Sequence, residues 1–393
     1  MDAVADDVFT TVAPASPDYS ADLATKLLEV KAVNSTATAL GERAFLDCRR
    51  LGPRFEPLYY GSGLSVGDSC FEGCRGIREF SPRFLSKIAS SGTAAFAHCT
   101  SLRTIDGMSA FDPCAERSFY RCSSLLSLQG GFSSATTFGE KCFDGCSSLQ
   151  SLSGVPSTLG ELLPYCFARC TSLSDITALA STAVKELPTG CFYGCVSLVS
   201  PDCGAGSGVA VFGKSCFEGC SSLVSMTGAP AGLRTMLDRC FAKTPVTSLS
   251  GLPSTLEHVG DECYDECALL PSLAGLPTSL LSIGERCFRG SYGEDHPVGT
   301  PAEKASTEWG LHDISRLGDV VPGLTDKKIP RGCFAGDRMI RRLPDLTGVA
   351  TKLTVADYAF SGCSGLDSLA GLPADVELQK GAFMDCFRAP HDW

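Results

Sequence analysis

Two cysteines four residues apart, with an aromatic just after the first, recur six times along the chain, as in EKCFDGCSSLQSLSG, residues 140–154. Thiols in such pairs could bind zinc, cycle between thiol and disulfide, or act as nucleophiles. Zinc asks for four ligands, and each pair offers two with no recurring His or acid beside it. A disulfide within one pair would force an i, i+4 couple into strict torsional limits. A reactive thiolate would need nearby basic groups, which the spacing does not supply. The exchange pattern favours a packing role. Nine of the 22 Cys directly precede the aromatic that recurs with the period, and at that place other copies carry Ala44, Ala95, Ser118, Gly310, Ala359 and Ala382. Eleven more lie three residues after the aromatic. A ligand position would not exchange with Ala inside one chain, whereas a crowded core position would, and buried free Cys behaves as a small hydrophobe. Only Cys114 and Cys203 fall outside both columns; Cys203, in the loop PDCGAGSG, is the expected exposed thiol.

The rest of the chemistry is sparse. The five His (His98, His258, His296, His312 and His391) share no column, and no Walker loop, dinucleotide fingerprint, HExxH or GxSxG occurs. No catalytic residue, cofactor or metal site is expected, and the chain reads as a non-enzyme.

The elements that carry the cysteines repeat. With the aromatic as position 0, the anchors are Phe45, Phe71, Phe96, Phe119, Phe143, Phe167, Phe192, Phe217, Phe241, Tyr264, Phe288, Phe334, Phe360 and Phe383. Intervals run from 23 to 26 residues, except one of 46 between Phe288 and Phe334. Halving that interval places a hidden anchor at Leu311, with Ile314, Leu317 and Val320 in the apolar columns at +3, +6 and +9. The expectation is therefore 15 repeats of about 24 residues, in the range of solenoids. Position −5 is apolar in most copies, and Gly follows it at Gly41, Gly67, Gly92, Gly139, Gly213, Gly260 and Gly284, as a tight or left-handed turn would need. Each unit reads as a turn, a short helical or coiled stretch with the aromatic, then a short strand around the Leu at +9. Connectors such as GLPSTL and GLPTSL carry Pro, which marks loops. Stacked units would pair their strands in parallel about 4.8 Å apart.

These columns resemble the BspA-type leucine-rich repeats, whose unit looks like IGxxAFxxCxxLxxI. GDSCFEGC, GEKCFDGCSSLQSL and VADYAFSGCSGLDSL carry the resemblance, which covers residues 40–386. It implies a right-handed superhelix of short parallel strands with short helical segments, and a protein-binding scaffold. Many relatives of this kind are surface or secreted proteins linked to adhesion, so a surface adhesin or antigen is the alternative function.

Composition sets the surroundings. A formal charge of −11 disfavours nucleic acid as a partner. No run of 18 apolar residues could span a membrane as a helix. The first 20 residues lack the apolar core of a signal peptide. With the thiol count, this points to a reducing, cytoplasmic setting, with the cell surface or secretion as the alternative. Residues 1–17 read as a disordered acidic tail. Residues 18–39 read as a capping helix, over 18–33, and a lead-in, since Ser20 could cap it and Leu23, Leu27 and Val30 share a face. Residues 40–393 form the solenoid, with a degenerate repeat around 300–325. The C-terminal end offers a docking place for a partner.

Two surface features are candidates for binding. The residue before the +9 apolar position is usually Ser, giving a hydroxyl-rich strand face. In KKIPRGCFAGDRMIRR, Lys327, Lys328, Arg331, Arg338, Arg341 and Arg342 gather against one acid, Asp337, beside a polar stretch that ends at Trp309. A basic patch with an aromatic on an acidic protein is a protein-contact candidate.

Overall fold

The computed structural model describes residues 3–5, 27–30, 37–58, 60–108, 114–290 and 310–386. The chain divides into two units, Met1–Ser197 with Cys203–Gly208, and Leu198–Asp202 with Val209–Trp393. Each is a stack of turns, and the fold is a parallel β-solenoid of about 13 turns some 24 residues apart, with little helix.

The anchors hold the stack. Successive rings lie face to face in both units, from Phe45 on Phe71 at 4.9 Å to Phe167 on Phe192 at 5.9 Å, and from Phe217 on Phe241 at 5.2 Å to Phe360 on Phe383 at 5.2 Å. All but Phe383 are buried. Burial of each ring contributes roughly 1.5–3 kcal/mol, and stacking adds about 0.5–1.5 kcal/mol.

The segment around each anchor is not helical. Its amides alternate in direction. In the first turn, Arg43, Phe45 and Asp47 donate to Asp68, Cys70 and Glu72 of the next turn, while Ala44, Leu46 and Cys48 donate back to Gly41, Arg43 and Phe45. The alternation requires left-handed backbone at position −2 in every copy and at +2 in all but Gly290, with φ of 51–61° at −2. Gly fills some of these places, but Arg43, Ala94, Tyr165 and Glu262 fill others.

The Gly after position −5 has a different cause from the expected left-handed turn. A Cβ on Gly67 would sit 2.6 Å from the Glu42 nitrogen, and one on Gly284 only 2.2 Å from the Gly260 carbonyl carbon. These glycines allow the backbone of the previous turn to approach.

Two ladders of short parallel strands flank the anchor segment. One runs through positions −6 and −5: Ala39–Leu40, Leu64–Val66 and Ile88–Ser91 pair in that order, as do Thr137–Phe138 and Glu161–Leu162. In the second unit Val211–Phe212, Thr235–Met236, His258–Val259 and Ser282–Ile283 pair in series, and Lys328–Ile329, Thr354–Val355 and Glu377–Leu378 do the same. In each two-residue strand except the last and Ser282–Ile283, the second residue is buried. The other ladder passes around position +8, between +7 and +10, by Arg54–Phe55 with Glu79–Phe80 and by single bridges such as Ser151 to Asp175 and Ser225 to Ser248.

Three expectations change. Phe288 stacks directly on Phe334 at 5.9 Å, and its amide bonds to Cys333. Asp313 pairs with Ser272, so Leu311 occupies position +6 rather than position 0. Among the described residues the 46-residue interval thus holds a single turn, and the hidden repeat expected around 300–325 has no anchor there. The columns at +3, +6 and +9 are themselves three apart, so a shift of six residues still matched apolar to apolar. At the N-terminus, Ala3–Ala5 and Leu27–Val30 form a parallel pair. Leu27–Val30 is therefore a strand where a helix was expected, consistent with its run of Leu and β-branched Val; the remainder of residues 1–36 lies outside the described residues. Lastly, the helical alternative for the anchor segment gives way to the coiled one, a ladder of turns.

Candidate binding surface

The +3 cysteines take part in the backbone ladder. Nine thiols, from Cys74 to Cys386, donate to the carbonyl of the preceding anchor: Cys74 reaches Phe45 at 3.0 Å, Cys146 reaches Phe119 at 3.2 Å and Cys363 reaches Phe334 at 3.1 Å. A small side chain with one weak donor suits a crowded site beside a carbonyl. All 22 Cys are buried, and none is in a disulfide. Burial pushes the Cys99 and Cys267 thiols up to about 12, far from a reactive thiolate. Cys203 is also fully buried, beside the Cys191 thiol, so the expectation of an exposed thiol there fails. Its loop folds inward at Cys203, with Pro201 and Val209 buried on either side.

The hydroxyl column has a local cause. Ser127, Ser225, Ser248 and Ser272 each accept the backbone N–H two residues later at 3.0–3.1 Å. Asp175 and Asp313 do the same with their carboxylates, at 2.9 and 3.0 Å. Short polar side chains that close the turn after a strand are favoured for this bond. The column is therefore committed to its own backbone before it meets any partner.

The basic residues are spread over two ladders. Lys328 lies on the strand paired with Thr354, and Arg331 follows three residues before the Phe334 anchor. Arg341 belongs to the other ladder, where its carbonyl accepts the Asp367 amide. Arg331, Arg338, Arg341 and Arg342 are exposed, while Lys327 and Lys328 are half-buried. The Lys327 ammonium is held by the Pro322 and Leu324 carbonyls. Lys328, Arg331, Arg341 and Arg342 make no ion pair with any described residue. Trp309 lies outside the described residues. Asp337, the acid in this stretch, is buried at position +3, with no hydrogen bond to its Oδ2. Burial holds its carboxyl well above the usual range, so it brings no compensating charge to the surface.

A charged network in the second unit was not anticipated. Arg239 bonds Glu218 at 2.6 Å and Glu262 at 2.5 Å; Arg286 reaches Glu262 at 3.2 Å; Arg289 grips Asp265 with two bonds of 2.7 Å. Burial pushes the Glu218 carboxyl up, but the bonds from Arg239 and Ser215 bring it below its ordinary value. For Asp265 burial wins over Arg289, and the carboxyl stays raised. In the first unit, Arg169 holds the buried Asp144 in the same way. The acids of these pairs at position +1, Asp144, Glu218 and Asp265, were visible as a column, each with an Arg close to the next anchor.

Among the described residues no three or more His, Cys, Asp or Glu side chains converge as a metal would need, and no helix is long and apolar enough to cross a membrane.

Regular turns, stacked anchors and a Leu-rich interior define a leucine-rich-repeat solenoid. The family model described as BspA type leucine rich repeat region (6 copies) matches residues 24–150, 60–174, 136–271 and 185–295. The chain belongs to the BspA-type leucine-rich repeat family. Among solved structures, it is similar to a leucine-rich repeat protein from Bacteroides ovatus, at 20% identity over 86% of this chain and 84% of that one, with a TM-score of 0.44. It is similar as well to a leucine rich cell surface protein from Faecalibacterium prausnitzii, at 17% identity over 86% of each chain and a TM-score of 0.34. The pneumococcal vaccine antigen PcpA matches at 14% identity over 60% of this chain and 74% of that one, with a TM-score of 0.28. No curated protein matches the chain.

Proposed function

We propose that the chain is a non-catalytic recognition scaffold that binds an acidic segment of a protein partner. The observation that carries this reading is the set Lys328, Arg331, Arg341 and Arg342, which has no ion pair among the described residues on a chain of net charge −11. Such cations steer an acidic partner and add specificity more than affinity. Arg338 and Lys327 belong to the same stretch, and Trp309 joins it by sequence proximity. The burial that pushes thiols such as Cys99 and Cys267 up to about 12 supports the absence of nucleophilic chemistry.

The test is affinity capture from the protein's own cells with the wild type and with R341E/R342E. We expect the double reversal to lose at least one partner, and the lost partner to elute from the wild type as salt rises. An unchanged set of partners removes the patch from the proposal.

The setting we propose is a reducing one, such as the cytoplasm. What supports it is the nine thiols that serve as donors in the backbone ladder. Alkylation at lysis followed by intact mass should find nearly all 22 thiols free. Extensive disulfides would instead favour an oxidising exterior and the adhesin-like role.

A further inference from the structure

Cys114 and Cys142 bring thiols of two different columns into contact. Cys142 occupies position −1 of its turn. Cys114 occupies position −5 of the turn before, where other copies carry Val66, Val259 and Val355. Both side chains are fully buried, and their Sγ atoms lie 3.0 Å apart. Even carbon atoms, which are smaller than sulfur, rest at about 3.5–4.0 Å. The +3 thiols end on a carbonyl, whereas each of these two has the other's sulfur as its partner.

Thiols within one column also meet, as Cys74 does Cys48 and Cys240 does Cys263. Disulfide closure needs Cβ atoms about 3.5–4.5 Å apart. Cys114 and Cys142 come from different columns of successive turns and converge on one another.

We propose that Cys114 and Cys142 are an oxidisable pair that closes a disulfide between successive turns. With a peroxide as oxidant, one thiolate attacks a peroxide oxygen, the O–O bond breaks and water leaves, giving a sulfenic acid. The second thiol attacks that sulfur; the S–O bond breaks, the S–S bond forms and a second water leaves. The two thiols lose two electrons and two protons, and one peroxide becomes two waters. Because both sulfurs are buried, the reaction proceeds through local opening of the turns and is slow. The product ties two turns that backbone hydrogen bonds already join.

The experiment exposes the full chain to hydrogen peroxide, at a dose that oxidises the exposed Met384, then unfolds it in alkylating denaturant for intact mass and peptide mapping. The expected result is a mass loss of two hydrogens, a link between the peptides of Cys114 and Cys142, and a raised Tm. Cys114→Val places the residue of other −5 positions there and keeps the fold. It should abolish both the link and the Tm shift while leaving Cys142 open to alkylation. Full alkylation of Cys114 and Cys142 in the treated wild type overturns the proposal. So does a link that forms between other cysteines, or one that retains Cys142 in the Cys114→Val variant.

Discussion

Position +3 shows how one place in a repeat can reward a thiol and penalise a carboxyl. Cys363 donates to the Phe334 carbonyl from that place, while Asp337, one turn earlier, leaves Oδ2 without a partner. In the folded chain its carboxyl stays protonated well above the 3.8 of its ordinary state. Between those two values the folded chain holds a proton that the unfolded chain has lost, so stability falls as pH rises through that window. Asp337→Cys should remove this dependence and supply the missing donor to the preceding anchor. The expected gain is about 1–3 kcal/mol at neutral pH, and it should shrink toward acid pH. Urea midpoints of both proteins at the two pH values check it; a gain equal at both would mean that ionisation has no part in it.

At the scale of the turn, the backbone explains which glycines matter. Gly284 has right-handed or extended backbone but no room, and Gly284→Ala should cost about 1–3 kcal/mol because its close neighbour is main chain that cannot swing away. Ala94 is the reverse case, a methyl group held at φ 55°. Left-handed backbone costs an L-residue about 1–2 kcal/mol, part of which Gly returns through its looser unfolded chain, so Ala94→Gly should raise stability by up to about 1 kcal/mol. Thermal unfolding of the two variants tests both signs. The apolar and thiol columns were readable because their residue types repeat with the period. The left-handed positions were not, since Arg, Ser, Ala, Lys, Tyr and Glu occupy most places at −2, interrupting the Gly that would announce positive φ. The misplaced anchor at Leu311 has the same kind of cause: columns three residues apart match themselves after a shift. The basic stretch was visible in composition, but its division between two ladders depends on the phase of the turn and not on spacing in sequence. Asp337 was counted as its opposing charge because sequence does not show that a thiol normally stands there.

For the whole molecule, the thiol count and the thiol burial make a joint statement. All 22 Cys are interior, Cys203 included, so the folded protein should give almost no fast reaction with a thiol reagent and the unfolded protein should give the full count. One fast thiol per chain would show that an interior turn opens readily. The charged clusters Glu218–Arg239–Glu262 and Asp265–Arg289 lie in the second unit, and Asp144–Arg169 lies in the first, so both units place arginine against buried acids along the anchor segment. The alternating amides of that segment carry a consequence for how the molecule breathes. Half of them close inside their own turn, and half are shared with the next, so the second set can exchange with deuterium only when two turns part. Within each unit the anchor amides, Phe45 to Phe167 and Phe217 to Phe360, therefore act as gauges of separation between neighbouring turns, read one by one.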